Sequence, residues 1–403
     1  TLRRCRGVYL FHRIPDVNGQ PGYDGLVSGL RFTYEDNEGV FSLLTEATAT
    51  GYRREENGDY TSLDGPPFSL NYQAHAWNTT TGTFAEDAMA DPAVTFLDLY
   101  GDGMNGILHR QNGLLYYREN QGEGRFSPPL ALTEQPVGTF FQLTEIEGNG
   151  RKNATDLRSE APGYHTWLAK DHLDSFRYFP HAPRLNPTDD AIRFIDLTGD
   201  GRPDILLTEN AAFSWHQSLG EDGYEAARKT LFPLDEAGHP EIVLHGPDTL
   251  VLADMSGDGL TDLVRIRNGS VAYWPNLGYG RFGRRRDMAG APVFAAPDQF
   301  DAARIRLADL DGSGVADLFY LDENGVRVWL NRSGNGWQPA PVTIPMPVVD
   351  DLSTVRVLDL LGTGTACLIW TTSKEGVEPG GRVAYVDLME GAKPYLLSGY
   401  RNN

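Results

Sequence analysis

The segment Asp309-Leu-Asp311-Gly-Ser313-Gly-Val-Ala-Asp317 sets four oxygen-bearing side chains at its first, third, fifth and ninth positions. Carboxylate and hydroxyl oxygens at alternate positions of a tight loop are the donor set that holds a hard cation such as calcium. Lesser versions stand at Asp196, Thr198, Asp200, Asp204 and at Asp254, Ser256, Asp258, Asp262, with three carboxylates each. Other copies break the pattern: Tyr100 and Gly106 occupy ligand positions in one, Leu361 and Cys367 in another. A second chemistry fits every copy. The first acidic residue accepts backbone N–H groups within the turn, while the glycines supply positive φ. Asp309, Asp311, Ser313 and Asp317 are therefore a minor calcium candidate within a set of structural turns, and no metal or other cofactor is expected. Nine His are scattered, with neither His-Glu-x-x-His nor Gly-x-Ser-x-Gly present, so no catalytic chemistry is expected either.

The turn occurs six times and sets the period of the chain. Copies begin at Asp98 (with Gly101), Glu145 (Gly148), Asp196 (Gly199), Asp254 (Gly257), Asp309 (Gly312) and Asp359 (Gly362), spaced by 47, 51, 58, 55 and 50 residues. Each is preceded by a short apolar run, such as Ile192 to Ile195 or Val355 to Leu358, and most are followed by another, such as Leu318-Phe-Tyr320. Short runs rich in branched and aromatic residues, broken by Gly and Asp, are strand signals. An aromatic stands four residues past a following turn: Tyr117, Trp167, Trp215, Tyr273, Trp329 and Tyr385. Four copies add a second Gly-rich turn ending in an aromatic, at Phe126, Tyr224, Phe282 and Trp337. Four strands per period of about fifty residues predict an all-β, six-bladed β-propeller with integrin-type (FG-GAP- and VCBS-like) Asp-Gly turns. In it each turn joins the innermost strand to the second, and the aromatics pack blade on blade.

The residue three places before each turn stands apart. Its neighbours at minus two and minus four are apolar in all six copies, yet minus three reads Thr95, Gln142, Arg193, Val251, Arg306 and Arg356. Period-two alternation turns these side chains away from the apolar pair. A buried, unpaired Arg is costly, so each must reach water or meet a carboxylate. Two outcomes stay open: a basic constriction in the propeller lumen, or inter-blade ion pairs with turn carboxylates.

Composition narrows the rest. Of 403 residues, 45 are Gly and 25 Pro, which suits a turn-dense β protein, and 40% are hydrophobic, enough for a core. The formal net charge of −20 argues against a nucleic-acid partner. No apolar stretch approaches the length that spans a membrane. Cys5 and Cys367 lie far apart and suggest no disulfide framework. Residues 1–91 lack the turn motif but hold strand-like runs, so they read as an edge of the propeller, a degenerate seventh blade or part of another domain. The propeller is placed at 92–398, with 399–403 returning to the domain that precedes it.

Several phrases carry a resemblance. Leu2-Arg-Arg-Cys-Arg-Gly-Val-Tyr-Leu-Phe-His12, Ser42-Leu-Leu-Thr-Glu-Ala-Thr-Ala-Thr-Gly-Tyr52, Leu252-Ala-Asp-Met-Ser-Gly-Asp-Gly-Leu-Thr-Asp-Leu263 and Tyr273-Trp-Pro-Asn-Leu-Gly-Tyr-Gly-Arg-Phe282 together resemble the B component of bacterial Tc insecticidal toxin complexes, within the Rhs-related and salmonella virulence-plasmid toxin-like group. The resemblance implies a non-enzymatic propeller set in a larger shell, part of a secreted toxin complex. That propeller would dock on the A component, a pentameric pore-forming translocon, and gate the exit of an effector enclosed with the C component. Residues 1–91 would then be strands of the shell, truncated here. The rival from the Asp-rich turns is a calcium-dependent, integrin-like adhesion or carbohydrate-binding propeller.

Overall fold

The computed structural model describes the chain apart from residues 1–3, 38–40, 75, 85–86, 92–93, 133–140, 158, 184, 186–191, 209–211, 232–248, 324, 351, 375–380 and 403. It divides into two units, Thr1–Ala76 with Lys393–Asn403, and Trp77–Ala392. Among the described residues the regular structure is antiparallel β with three short 3-10 turns.

The first unit is one six-stranded sheet. Gly7–Ile14, Tyr23–Asn37, Phe41–Arg54, Phe68–Tyr72 and Leu397–Asn402 follow one another in that order. Phe41–Arg54 is 14 residues long, enough to take Tyr60–Asp64 along its final residues and Phe68–Tyr72 at Glu46 and Ala47. Asp64 ties the sheet across strands, accepting from Thr50 Oγ1 at 2.6 Å and pairing with Arg31. The last strand of the chain thus lies beside a strand that precedes the repeats, with Leu397 opposite Tyr72 and Asn402 opposite Phe68.

The second unit contains six four-stranded antiparallel sheets. The first holds Thr95–Leu97, Gly106–Gln111, Leu114–Arg118 and Leu130–Ala131; the third Ile192–Ile195, Asp204–Thr208, Ala212–His216 and Arg228–Leu231. The fourth is Thr249–Ala253, Asp262–Arg267, Ser270–Trp274 and Arg286–Asp287; the fifth Ile305–Ala308, Asp317–Asp322, Gly325–Trp329 and Val342–Ile344. In the second, Phe141–Thr144, Asn153–Asp156 and Gly163–His165 are closed by Arg177–Tyr178, and Trp167–Ala169 with His172–Leu173 forms a separate ribbon. The sixth takes three strands from the end of the unit, Ser353–Leu358, Cys367–Thr372 and Val383–Asp387, and its fourth, Gly82–Thr83, from the beginning.

The observed division differs from a boundary at residue 91. Residues 77–91 belong with the repeats because Gly82 pairs with Tyr385, and Met89 and Ala90 are buried among Leu360, Cys367 and Ile369. The return to the first unit begins at Lys393 instead of 399. The turn motif marks only the first hairpin of each repeat, so a lone outer strand preceding the first motif carries no mark of its own.

Apolar side chains are buried between successive sheets, which is where the aromatics go. Leu99, Leu108 and Tyr117 pack with Leu143 and Trp167; Ile146 and Tyr164 with Ile205 and Tyr224; Leu206 and Trp215 with Leu263 and Trp274; Val264 and Tyr273 with Leu318 and Trp329. Ile107 of the first sheet, with Val94 just before its first strand, packs with Cys367 and Val383 of the sixth. Fully burying such side chains stabilises by roughly 1.5–3 kcal/mol each, so the stacked sheets, not any single hairpin, hold the unit.

Candidate functional site in the turns and first strands

Each turn is built around its first carboxylate. Asp98 accepts from the N–H groups of Gly101 at 2.7 Å, Asp102 at 3.1 Å and Gly103 at 2.8 Å. Asp196 accepts from Gly199 and Gly201, Asp254 from Gly257 and Gly259, Asp309 from Ser313 and Gly314, and Asp359 from Thr363 and Gly364. Glu145 in the second copy reaches Gly150 at 2.7 Å. Both glycines of every copy have positive φ, from 70° at Gly362 to 86° at Gly150. The side chain thus satisfies N–H groups that the left-handed backbone turns inward.

The ninth position carries a second staple. Asp204 Oδ2 accepts from Leu197 N at 3.0 Å and Oδ1 from Ser218 N at 2.7 Å. Asp262 bonds Met255 and Asn276, and Asp317 bonds Leu310 and Asn331, in the same way. All three are fully buried. Burial pushes the carboxyls of Asp204 and Asp262 up to about 6, against the opposing effect of the two N–H donors. It also holds Asp317 well above the usual range, reinforced by the charge of Asp311.

Sequence reasoning did not pick out the residues on the far side of this staple. Asn120 Nδ2 donates to Leu360 O of the sixth sheet at 3.1 Å, and Asn331 Nδ2 to Met255 O of the fourth at 3.0 Å. These side chains tie one sheet's second turn to the preceding sheet's Asp turn. A signal existed: Asn120, Ser218 and Asn276 each stand two residues before the first glycine of the second turn, and Asn331 stands three before Gly334.

Among the described residues one group of three carboxylates has ligand oxygens close enough to share a cation, Asp309, Asp311 and Asp317, whose oxygens lie within 4.8 Å of one another. The donor chemistry fits a hard cation. Ser313, the fourth member, has a buried Oγ without a hydrogen-bond partner. Its backbone N–H is shared between Asp309 Oδ1 at 3.1 Å and Asp311 Oδ1 at 3.0 Å, so this turn, like the others, holds its shape through backbone donors.

The first strands of the six sheets line two cavities. Thr95, Arg306 and Arg356 share one of about 510 Å³ with Phe96 and Asn105. Gln142 lines another of about 590 Å³ with Phe194 and Leu252. Arg193 is exposed and donates to its own Ile192 O at 2.9 Å. The alternation is plain where both faces are described: Ile192, Ile305 and Val355 are buried, whereas Arg193 and Arg306 are exposed and Arg356 half-buried. Arg306 donates to Ala303 O at 2.5 Å and Ile305 O at 2.8 Å. Arg356 donates to Thr371 Oγ1 at 3.2 Å and lies over the Phe96 ring at 5.5 Å. Among the described residues no carboxylate pairs with Arg306 or Arg356.

These features define an all-β repeat protein in which a carboxylate-stapled turn joins the first two strands of each four-stranded sheet. No protein-family model matches the sequence, and no curated protein matches it. Solved structures do match. A chain of the Photorhabdus luminescens Tc holotoxin pore is similar over 100% of this chain at 26% identity, with a TM-score of 0.79. TcdB2–TccC3 is similar over 100% at 25% identity and a TM-score of 0.59, and TcdB2–TccC3–Cdc42 over 100% at 26% and 0.59. This chain spans 19% of the length of each of those chains. An Agrocybe aegerita lectin that recognises non-reducing terminal N-acetylglucosamine is similar over 92% of this chain and 99% of its own, at 16% identity and a TM-score of 0.51, a likeness of fold alone. The fold is therefore Tc B-component-like.

Proposed function

We propose that this chain is the docking and gating propeller of a secreted Tc toxin complex, a non-enzymatic module that binds the pore-forming A component and controls release of an effector enclosed with the C component. The observation that carries the reading is likeness over the entire chain to a chain of a Tc holotoxin pore, at a TM-score of 0.79. The arrangement of six blades is supported by six four-stranded sheets, by the sixth being completed from Gly82–Thr83, and by first-sheet residues packed on the sixth. Pairing of Leu397–Asn402 with Phe68–Tyr72 supports insertion of the repeats between neighbouring strands of a shell. In this reading Thr95, Gln142, Arg193, Arg306 and Arg356 edge the passage.

Size-exclusion chromatography and electron microscopy of the full-length protein with its cognate A component test the docking role. A one-to-one complex at micromolar concentration is expected, and none forming would sink the reading. Arg306→Glu then tests gating: effector release changes while A-component binding is kept.

A second reading, a calcium-dependent adhesion or carbohydrate-binding propeller, draws on the Asp309, Asp311 and Asp317 group. A ligand bound only by the native state raises Tm by mass action. The docking reading expects EGTA to leave Tm unchanged within about 1 °C, less than a loss of ~1 kcal/mol would produce. A fall of several degrees, reversed by calcium and abolished in Asp311→Asn, favours the second reading.

A further inference from the structure

We infer that the cavity between the first strands of the first, fifth and sixth sheets is an oxyanion-binding site whose ligand is a carboxylate side chain on an extended acidic segment. The chain carries 55 acidic residues against 35 basic ones, yet among the described residues this cavity is lined by two arginines and no acidic residue. Among the described residues each guanidinium meets only neutral groups. Arg306 donates to the carbonyls of Ala303 and Ile305, and Arg356 to the Thr371 hydroxyl while lying over Phe96. Two cationic residues that line one cavity, with no carboxylate paired to either among the described residues, favour an anion there, and charge-assisted hydrogen bonds from Arg are among the stronger ones available. Burial lowers the Arg356 pKa, as expected where desolvation is not offset by a negative partner.

The rest of the lining selects among anions. Thr95 and Asn105 add polar groups whose side chains make no hydrogen bond among the described residues, while Phe96, Leu307 and Val357 supply apolar wall. Such a mixture suits an acidic side chain, whose methylene stem and carboxylate differ in polarity. It suits free phosphate less, because phosphate offers nothing to the apolar wall. At about 510 Å³ the cavity has room for a side chain together with its backbone. The inference does not depend on the toxin reading, since it concerns binding by this chain alone.

The test is fluorescence anisotropy of a labelled poly-glutamate peptide titrated with the protein, with neutral poly-glutamine as control and inorganic phosphate as a second ligand. Saturable binding of poly-glutamate but not poly-glutamine is expected, weakened by added salt. Arg306→Gln and Arg356→Gln should each weaken it about tenfold, and Arg306→Lys should retain more than Arg306→Gln. Arg356 is partly structural, but Arg306 is exposed and bonds only carbonyls of its own segment, so Arg306→Gln should keep the wild-type Tm. Equal binding by wild type and Arg306→Gln at unchanged Tm overturns the inference, as does no binding at millimolar peptide. Arginine-dependent binding of phosphate without binding of the peptide overturns the carboxylate assignment.

Discussion

At Asp262 both carboxylate oxygens are engaged by backbone N–H groups, Oδ2 by Met255 and Oδ1 by Asn276, inside a wholly buried site. Asp262→Asn replaces one acceptor by an amide NH₂ that faces a backbone donor. Leaving that N–H unsatisfied costs about 1–3 kcal/mol, which calorimetry would read as a Tm lower by several degrees. The pH dependence follows from the raised carboxyl. With a folded value of about 6 and an unfolded value of about 3.9, the folded state holds the extra proton between the two. The corresponding stability is complete below about pH 4 and is lost as pH rises through about 6. Asn has no such proton, so the Tm gap between wild type and Asp262→Asn should narrow from pH 4.5 to pH 7. A gap that widens over that window would show that the two N–H donors outweigh burial.

Within one turn the two glycines answer to different demands. A Cβ on Gly101, at φ 73°, would stand 2.8 Å from Gly150 C and 2.9 Å from Arg151 N, in the turn of the next sheet. Gly103, at φ 85°, has nothing within 4 Å of the same added atom. Gly103→Ala should therefore cost only the conformational penalty of a left-handed residue, about 1 kcal/mol. Gly101→Ala should cost distinctly more, because backbone must move between neighbouring sheets. Urea denaturation of the two variants separates them, and equal losses would mean that the turns adjust without strain. The comparison isolates what the repeated glycines do for packing from what they do for the turn.

For the repeat unit as a whole, the sixth sheet depends on a strand supplied from the start of the unit. Without Gly82–Thr83 the strand Val383–Asp387 becomes an open edge, and Leu360 and Cys367 lose Met89 as a neighbour. Exposed edges invite association. A chain beginning at Val94 should consequently melt at lower temperature than one beginning at Trp77, bind ANS and form oligomers in light scattering. Equal melting of the two would show that Gly82–Thr83 is dispensable. The same strand could not be found by its composition, since two residues reading Gly-Thr carry no period.

Local chemistry alone makes part of this protein legible in its amino acids. Asp and two glycines at fixed offsets dictate a turn closed by its own side chain, and the runs flanking it are strands because branched and aromatic residues alternate there. Six such units and the placement of Tyr117, Trp215, Tyr273 and Trp329 in apolar contacts were legible on that basis. Which distant segments meet is set by packing across the whole unit. Asp204, Asp262 and Asp317 read as possible metal ligands by spacing, yet their partners Ser218, Asn276 and Asn331 lie 14 residues on, across the sheet. The company of Arg306 and Arg356 was equally hidden, because a residue's register fixes the face it occupies but not the strand that comes to lie opposite. Local pattern fixes backbone conformation through short-range sterics and hydrogen bonding. Contacts between sheets follow from burial summed over the whole unit, which no single repeat encodes.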